Sequence, residues 1–366
     1  MESTVQAVRL SQQASDISDR KNLMKHVTFT VTVCVAALAA ACSTAGMTAA
    51  PATATPAAAA RWTFDGNIRN NSLAVSPDER TAVVSYSERP DVIVYDLATG
   101  KVRAVLNGFV TPRNIVFAPA GERFYVSDSS LGTVAVIDTA TLKTVSSVPA
   151  GAGAFGTTLS KDGSTLYVNN QAASTVTRYD LATQQPRAVV TGLAQPRQGV
   201  RLSPDGKALY VTNFLGDKIT VVDTATDKIT GEIKGFDKLR AISVTADGKT
   251  IFAANSGSNT IAVVDVDRRA ITTTIAVGKD PYGAALSPDG QFVYAGNLGD
   301  NTVSVISAAT QKVVATITGF KEPRQAIVFT RDGTLAYVLN VDLSVAKVDR
   351  ASNRVVGTLA APSRPI

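Results

Sequence analysis

Four arginines recur in one frame, G-[FL]-x-x-[PL]-R. They are Arg113 in GFVTPR (108–113), Arg197 in GLAQPR (192–197), Arg240 in GFDKLR (235–240) and Arg324 in GFKEPR (319–324). A guanidinium is planar, permanently charged and fork-shaped, so a convergent set would take carboxylate or phosphate groups through paired hydrogen bonds. Two variants of the frame, AGAGAFG (150–156) and VGKDPYG (277–283), put Phe155 and Tyr282 where the others carry arginine. Fifteen or sixteen residues further on stand Asp128, Asn170, Asn213, Asn255, Asn297 and Asn340. Asparagine there either caps the following loop or lends its amide to the same site. The arginines likewise have two readings: a ring that binds anions, or clamps that hold neighbouring repeats together by pairing with an acid or a carbonyl.

The missing residue types narrow the chemistry further. The only histidine is His26 and the only cysteines are Cys34 and Cys42. From residue 61 onward there is therefore no imidazole base, thiol nucleophile, disulfide or Cys/His metal cage. No catalytic residue, metal or cofactor is assigned from the sequence. GAGAFG (151–156) spells G-x-G-x-x-G, but no helix follows to receive a phosphate, so it has no dinucleotide-binding value. The net charge is +6, and the first sixty residues hold four basic and three acidic groups, leaving 32 against 27 for the rest. That mild bias favours anionic partners. Without a Lys/Arg run, and with the single tryptophan, Trp62, outside the repeats, nucleic acid is not favoured.

The elements that carry these residues repeat. A turn recurs as SPDE at Ser76, APAG at Ala118, SKDG at Ser160, SPDG at Ser203, TADG at Thr245, SPDG at Ser287 and TRDG at Thr330, at intervals of 42 or 43 residues. Each copy holds four short apolar runs, in the fourth GVRLS (199–203), ALYVT (208–212), ITVVD (219–223) and ITGEIK (229–234). Such β-branched runs between turns predict a four-stranded antiparallel meander. An Asp ends the third run in every copy but the sixth, which has Ser307, and its carboxylate is placed to bond backbone N–H groups of the next hairpin. Seven such sheets bury their faces by packing around an axis, which predicts an all-β, seven-bladed β-propeller over residues 61–366. The fourth strand at the seam is either Arg61–Phe64 (RWTF) or Arg354–Leu359 (RVVGTL).

LYVTN with SPDG and VVDTAT, in register, resembles the YVTN-type β-propeller repeats. The resemblance implies that the inter-blade connections and the loops between strands two and three share one face, the face that usually binds. Arg113, Arg197, Arg240 and Arg324 would then surround the channel mouth, with Phe155, Tyr282 and Asn213 as further ligand-binding candidates. Similar propellers include binding proteins, some for single-stranded DNA, and also lactonases, lyases and dehydrogenase subunits.

The first sixty residues read as an address. From Met24, the expected start, MKHVTFTVTVCVAALAAACSTAG joins a basic residue to an apolar run over 27–41, the pattern of a secretory signal. Leu38-Ala39-Ala40-Ala41-Cys42 resembles a bacterial lipobox, with Ala39 where leucine is preferred. The alternatives are a lipoprotein anchored at Cys42 and facing the periplasm from the outer membrane, or cleavage near Thr48-Ala49-Ala50 to give a soluble periplasmic protein. Residues 43–60, rich in Ala, Thr and Pro, form a tether. The expectation is a monomeric, non-enzymatic binding or scaffold propeller of the cell envelope for an anionic small molecule or an envelope protein. The alternative is a propeller enzyme or a dehydrogenase-associated subunit.

Overall fold

The computed structural model describes residues 68–362. The signal segment, Cys42, the tether and Arg61–Phe64 lie outside the described residues. Twenty-eight strands form seven separate sheets, each a four-stranded antiparallel meander in chain order. Blade 1 covers Asn71–Leu106, blade 2 Pro112–Pro149, blade 3 Ala154–Val190, blade 4 Pro196–Ile233, blade 5 Leu239–Ala276, blade 6 Ala285–Ile317 and blade 7 Ile327–Leu359. The expected all-β, seven-bladed propeller is therefore present. Arg354–Leu359 is the outer strand of blade 7, paired with Val345–Asp349.

Alternation along each strand explains why the blades stack. In the second strand of every blade, successive buried side chains face the two neighbouring blades in turn, as strand geometry requires. The apolar core accordingly divides into seven clusters, one at each blade-to-blade interface. The tyrosine of the repeated LYV stretch is a core residue: Tyr125, Tyr167, Tyr210, Tyr294 and Tyr337 are all buried. In every blade the register between strands three and four slips once. Such a slip sharpens the local twist, so each blade presents a narrow inner strand and a splayed outer one.

The turns and hairpins use the chemistry their sequences advertise. In blade 4, Ser203 Oγ donates to Asp205 and accepts from the Ala208 N–H, while Asp205 accepts from the Lys207 N–H. Asp223 then accepts from the N–H and hydroxyl of Thr226. First strands of adjacent blades lie against one another around the axis, which places the residue opening each of them at one end of a central channel.

Candidate functional site

The channel opens on the inter-blade face into a cavity of about 650 Å³. Its lining includes Arg69, Arg197, Arg201, Arg240 and Arg324, together with Phe155, Phe214 and Tyr282, and contains no aspartate or glutamate. Five inter-blade connections reach the channel through a left-handed backbone two residues before the first-strand Arg, Phe or Tyr, at Gly153, Gln195, Lys238, Asp280 and Glu322; the connection ahead of Arg113 does not.

Arginine and aromatic rings alternate around the mouth. Arg197 lies 3.1 Å from the centroid of Phe214, Arg240 lies 4.6 Å from Tyr282 and 5.6 Å from Phe214, and Arg324 lies 5.2 Å from Tyr282. Stacking holds a guanidinium by its faces and leaves its N–H edge for a ligand oxygen. Arg240 donates Nε–H to Ser256 Oγ at 2.9 Å, and Arg324 donates to the Arg69 carbonyl at 3.1 Å. Arg324 also lies 3.5 Å from Glu322, yet its Nε is buried without a partner.

The four recurring arginines do not share one role. Arg113 is fully buried and does not line the cavity. Its Nε donates to Ser129 Oγ at 2.9 Å, one terminal nitrogen donates to Ile68 O and Asn70 Oδ1, and its face covers Phe155 at 4.6 Å. It ties blades 1, 2 and 3 together, as the clamp reading required. Phe155, 1% exposed, reaches the cavity wall from beneath it.

Asn213, expected at the mouth, instead lies outside the cavity lining. Its amide donates to Val211 O, Lys218 O and Thr220 Oγ1, and its Oδ1 accepts the Ala194 N–H at 2.7 Å. Asn340 receives the Lys321 N–H and Asp128 those of Val110 and Thr111 in the same way. This position fastens the inter-blade connection to the blade that follows, which leaves its amide nothing for a ligand.

Sequence reading missed a belt of amides one residue past the arginines. Gln325 donates to Gln198 Oε1 at 2.7 Å and to Asn71 O at 2.8 Å, Gln198 donates to Asn114 Oδ1 at 3.3 Å, and Asn70 donates to Gln198 Oε1 at 3.1 Å. These bonds join blades 1, 2, 4 and 7 across the channel just below the mouth. The available signal was Pro-Arg followed by Asn or Gln, at Asn114, Gln198 and Gln325. Blade 3 has Gly156 there, where an added Cβ would fall 2.5 Å from the Arg197 carbonyl, so glycine permits the approach of blade 4.

The nearest carboxylates are already engaged. Glu88 pairs with Arg69 at 2.8 Å and accepts from Tyr86 Oη at 3.0 Å; burial, reinforced by Glu88, pushes the Tyr86 phenol above its ordinary pKa. Among the described residues no group of three or more His, Cys, Asp or Glu side chains is placed to hold a metal ion.

No curated protein matches the chain. Among solved structures it is similar to Kuenenia stuttgartiensis hydrazine synthase, with a TM-score of 0.71 and 20% identity over 76% of this chain and 95% of that one. At that identity the likeness concerns the fold. The family model described as "Lactonase, 7-bladed beta-propeller" matches residues 71–239 and 224–328, which together span well over half the sequence and overlap as repeats do. By that match and by its seven four-stranded blades, the chain belongs to the lactonase seven-bladed β-propeller family.

Proposed function

We propose that this protein is a YVTN-type binding propeller of the bacterial cell envelope that receives an anionic small molecule at its arginine-lined mouth. One observation carries the reading: five guanidinium groups line a single cavity whose wall contains no carboxylate. Glu88 and Glu322 offset Arg69 and Arg324 from outside the wall, but five like charges against two leave an excess that raises the affinity of the site for anions, and the aromatic stacking fixes where those charges point. The export pattern ending at Cys42 supports an envelope address, either as a lipoprotein or as a soluble periplasmic form.

The family match favours a second reading, hydrolysis of a lactone. Ring opening needs a base for water, and the cavity wall offers hydroxyls, amides and guanidiniums but no carboxylate or imidazole. Binding is therefore preferred. Isothermal titration of citrate and inorganic phosphate into the purified protein tests it. Saturable binding that weakens with salt and falls about tenfold or more in Arg240→Gln is expected; no binding of either anion would sink the proposal. Turnover of simple γ- or δ-lactones by the native protein would instead establish the second reading.

A further inference from the structure

Strand pairing defines a deeper level of the channel, at the first-strand residue paired with the tyrosine level of strand two. Six blades place small or neutral residues there: Ala74, Val116, Thr158, Ser243, Ala285 and Val328. Blade 4 places Arg201, opposite Tyr210. Arg201 is accessible from the channel although protein surrounds it on all sides. Its guanidinium donates to the carbonyl of its own neighbour Val200 at 2.8 Å and forms no ion pair among the described residues. Loss of hydration there holds the group below its ordinary pKa, an effect that a neighbouring anion reverses.

Below this level lies a second chamber, of about 510 Å³, on the side of the strand-one to strand-two turns. Arg201 is its one charged lining residue, and Pro204, Ala246, Leu286, Pro288 and Phe329 supply apolar wall. An apolar chamber with a single uncompensated cation at its inner end is complementary to a molecule with one negative charge and an apolar body. We propose that this chamber is a second ligand site, distinct from the mouth, that takes a monoanionic amphiphile with its carboxylate on Arg201 and its aliphatic chain along the wall. Arg201, Ala241, Gln325, Ile327 and Val328 line both cavities, but Arg69, Arg197, Arg240 and Arg324 line only the mouth, so the site stands whether or not those four bind an anion.

Octanoate is the probe, titrated calorimetrically into the full-length protein, with octanol and octylamine as uncharged and cationic controls. Octanoate is expected to bind one-to-one and both controls about tenfold more weakly or worse. Arg201→Gln should weaken octanoate by about tenfold to a hundredfold with an unchanged melting temperature, since it removes only a bond to an adjacent carbonyl, and Arg201→Lys should recover part of the loss. Arg240→Gln, at the mouth, should leave octanoate affinity within about twofold. Undiminished octanoate binding by Arg201→Gln, its loss in Arg240→Gln, or no binding by the native protein would each overturn the proposal.

Discussion

Arg113 and Arg240 occupy the same frame in the sequence and opposite situations in the fold. The first is fully buried, bonded to Ser129 of its own blade and to Ile68 and Asn70 just ahead of blade 1; the second keeps one bond to Ser256 and an open edge at the cavity. Arg113→Ala should therefore cost about 3 kcal/mol of stability, because it strands buried acceptors and leaves a void. Arg240→Ala should change the denaturation midpoint little and weaken citrate binding instead. Urea unfolding and titration on the same two variants check the split; equal destabilisation by both would contradict it. The repeated arginine was legible in the sequence, but its burial was not, because burial depends on what the adjacent blades offer: Ile68, Asn70 and Phe155 enclose Arg113, whereas Phe214 and Tyr282 leave room beside Arg240.

The repeated turn is a closed hydrogen-bonded unit at the scale of the element, and blade 2 lacks it. There Ala118 and Ala120 stand where other copies have Ser or Thr and Asp. The backbone path is retained, with the Ala118 N–H donating to Arg123 O and the Gly121 N–H to Ala118 O. The double substitution Ala118→Ser, Ala120→Asp should rebuild the side-chain bonds and raise stability by about 1 kcal/mol, seen as a higher melting temperature. The turn and hairpin carboxylates also set an acid limit. Asp162 is held at about 2 by Ser160 Oγ and the N–H and hydroxyl of Ser164, and Asp180 at about 2 by Arg187 and the Thr183 N–H. At Asp289 burial alone would raise the pKa, but Ser287, the Gln291 N–H and Arg350 outweigh it and bring it to about 2. Folded values below the unfolded ones mean that the unfolded chain binds more protons, so stability falls as pH drops from about 4 towards 2 and is level above that window. Melting temperatures across that range measure it; a midpoint flat down to pH 2 would show these contacts to be inconsequential.

Closure is a property of the whole molecule, and here it rests on packing. Blades 7 and 1 meet through a cluster that joins Leu339, Leu343 and Val345 to Leu73, Val84 and Ile93. Tyr95 Oη donates to Leu343 O at 2.7 Å and Gln325 reaches Asn71 O, adding polar ties across the same seam. Leu343→Ala should cost about 2–5 kcal/mol. Since no blade buries both faces alone, the loss should appear as one earlier transition in denaturant with an unchanged slope, and a separate early phase would show the seam opening by itself. The seven-fold period, the four-stranded blade and the turn chemistry were determined by the sequence alone, because each follows from local alternation and from hydrogen bonds between residues a few places apart. The tertiary structure decided which residues meet across the axis. Gln198 touches Gln325 only because ring closure brings blades 4 and 7 face to face, and Arg201 stands alone only because six other blades put neutral side chains at its level. Those distances are set by the radius of the ring, a quantity that no single repeat contains.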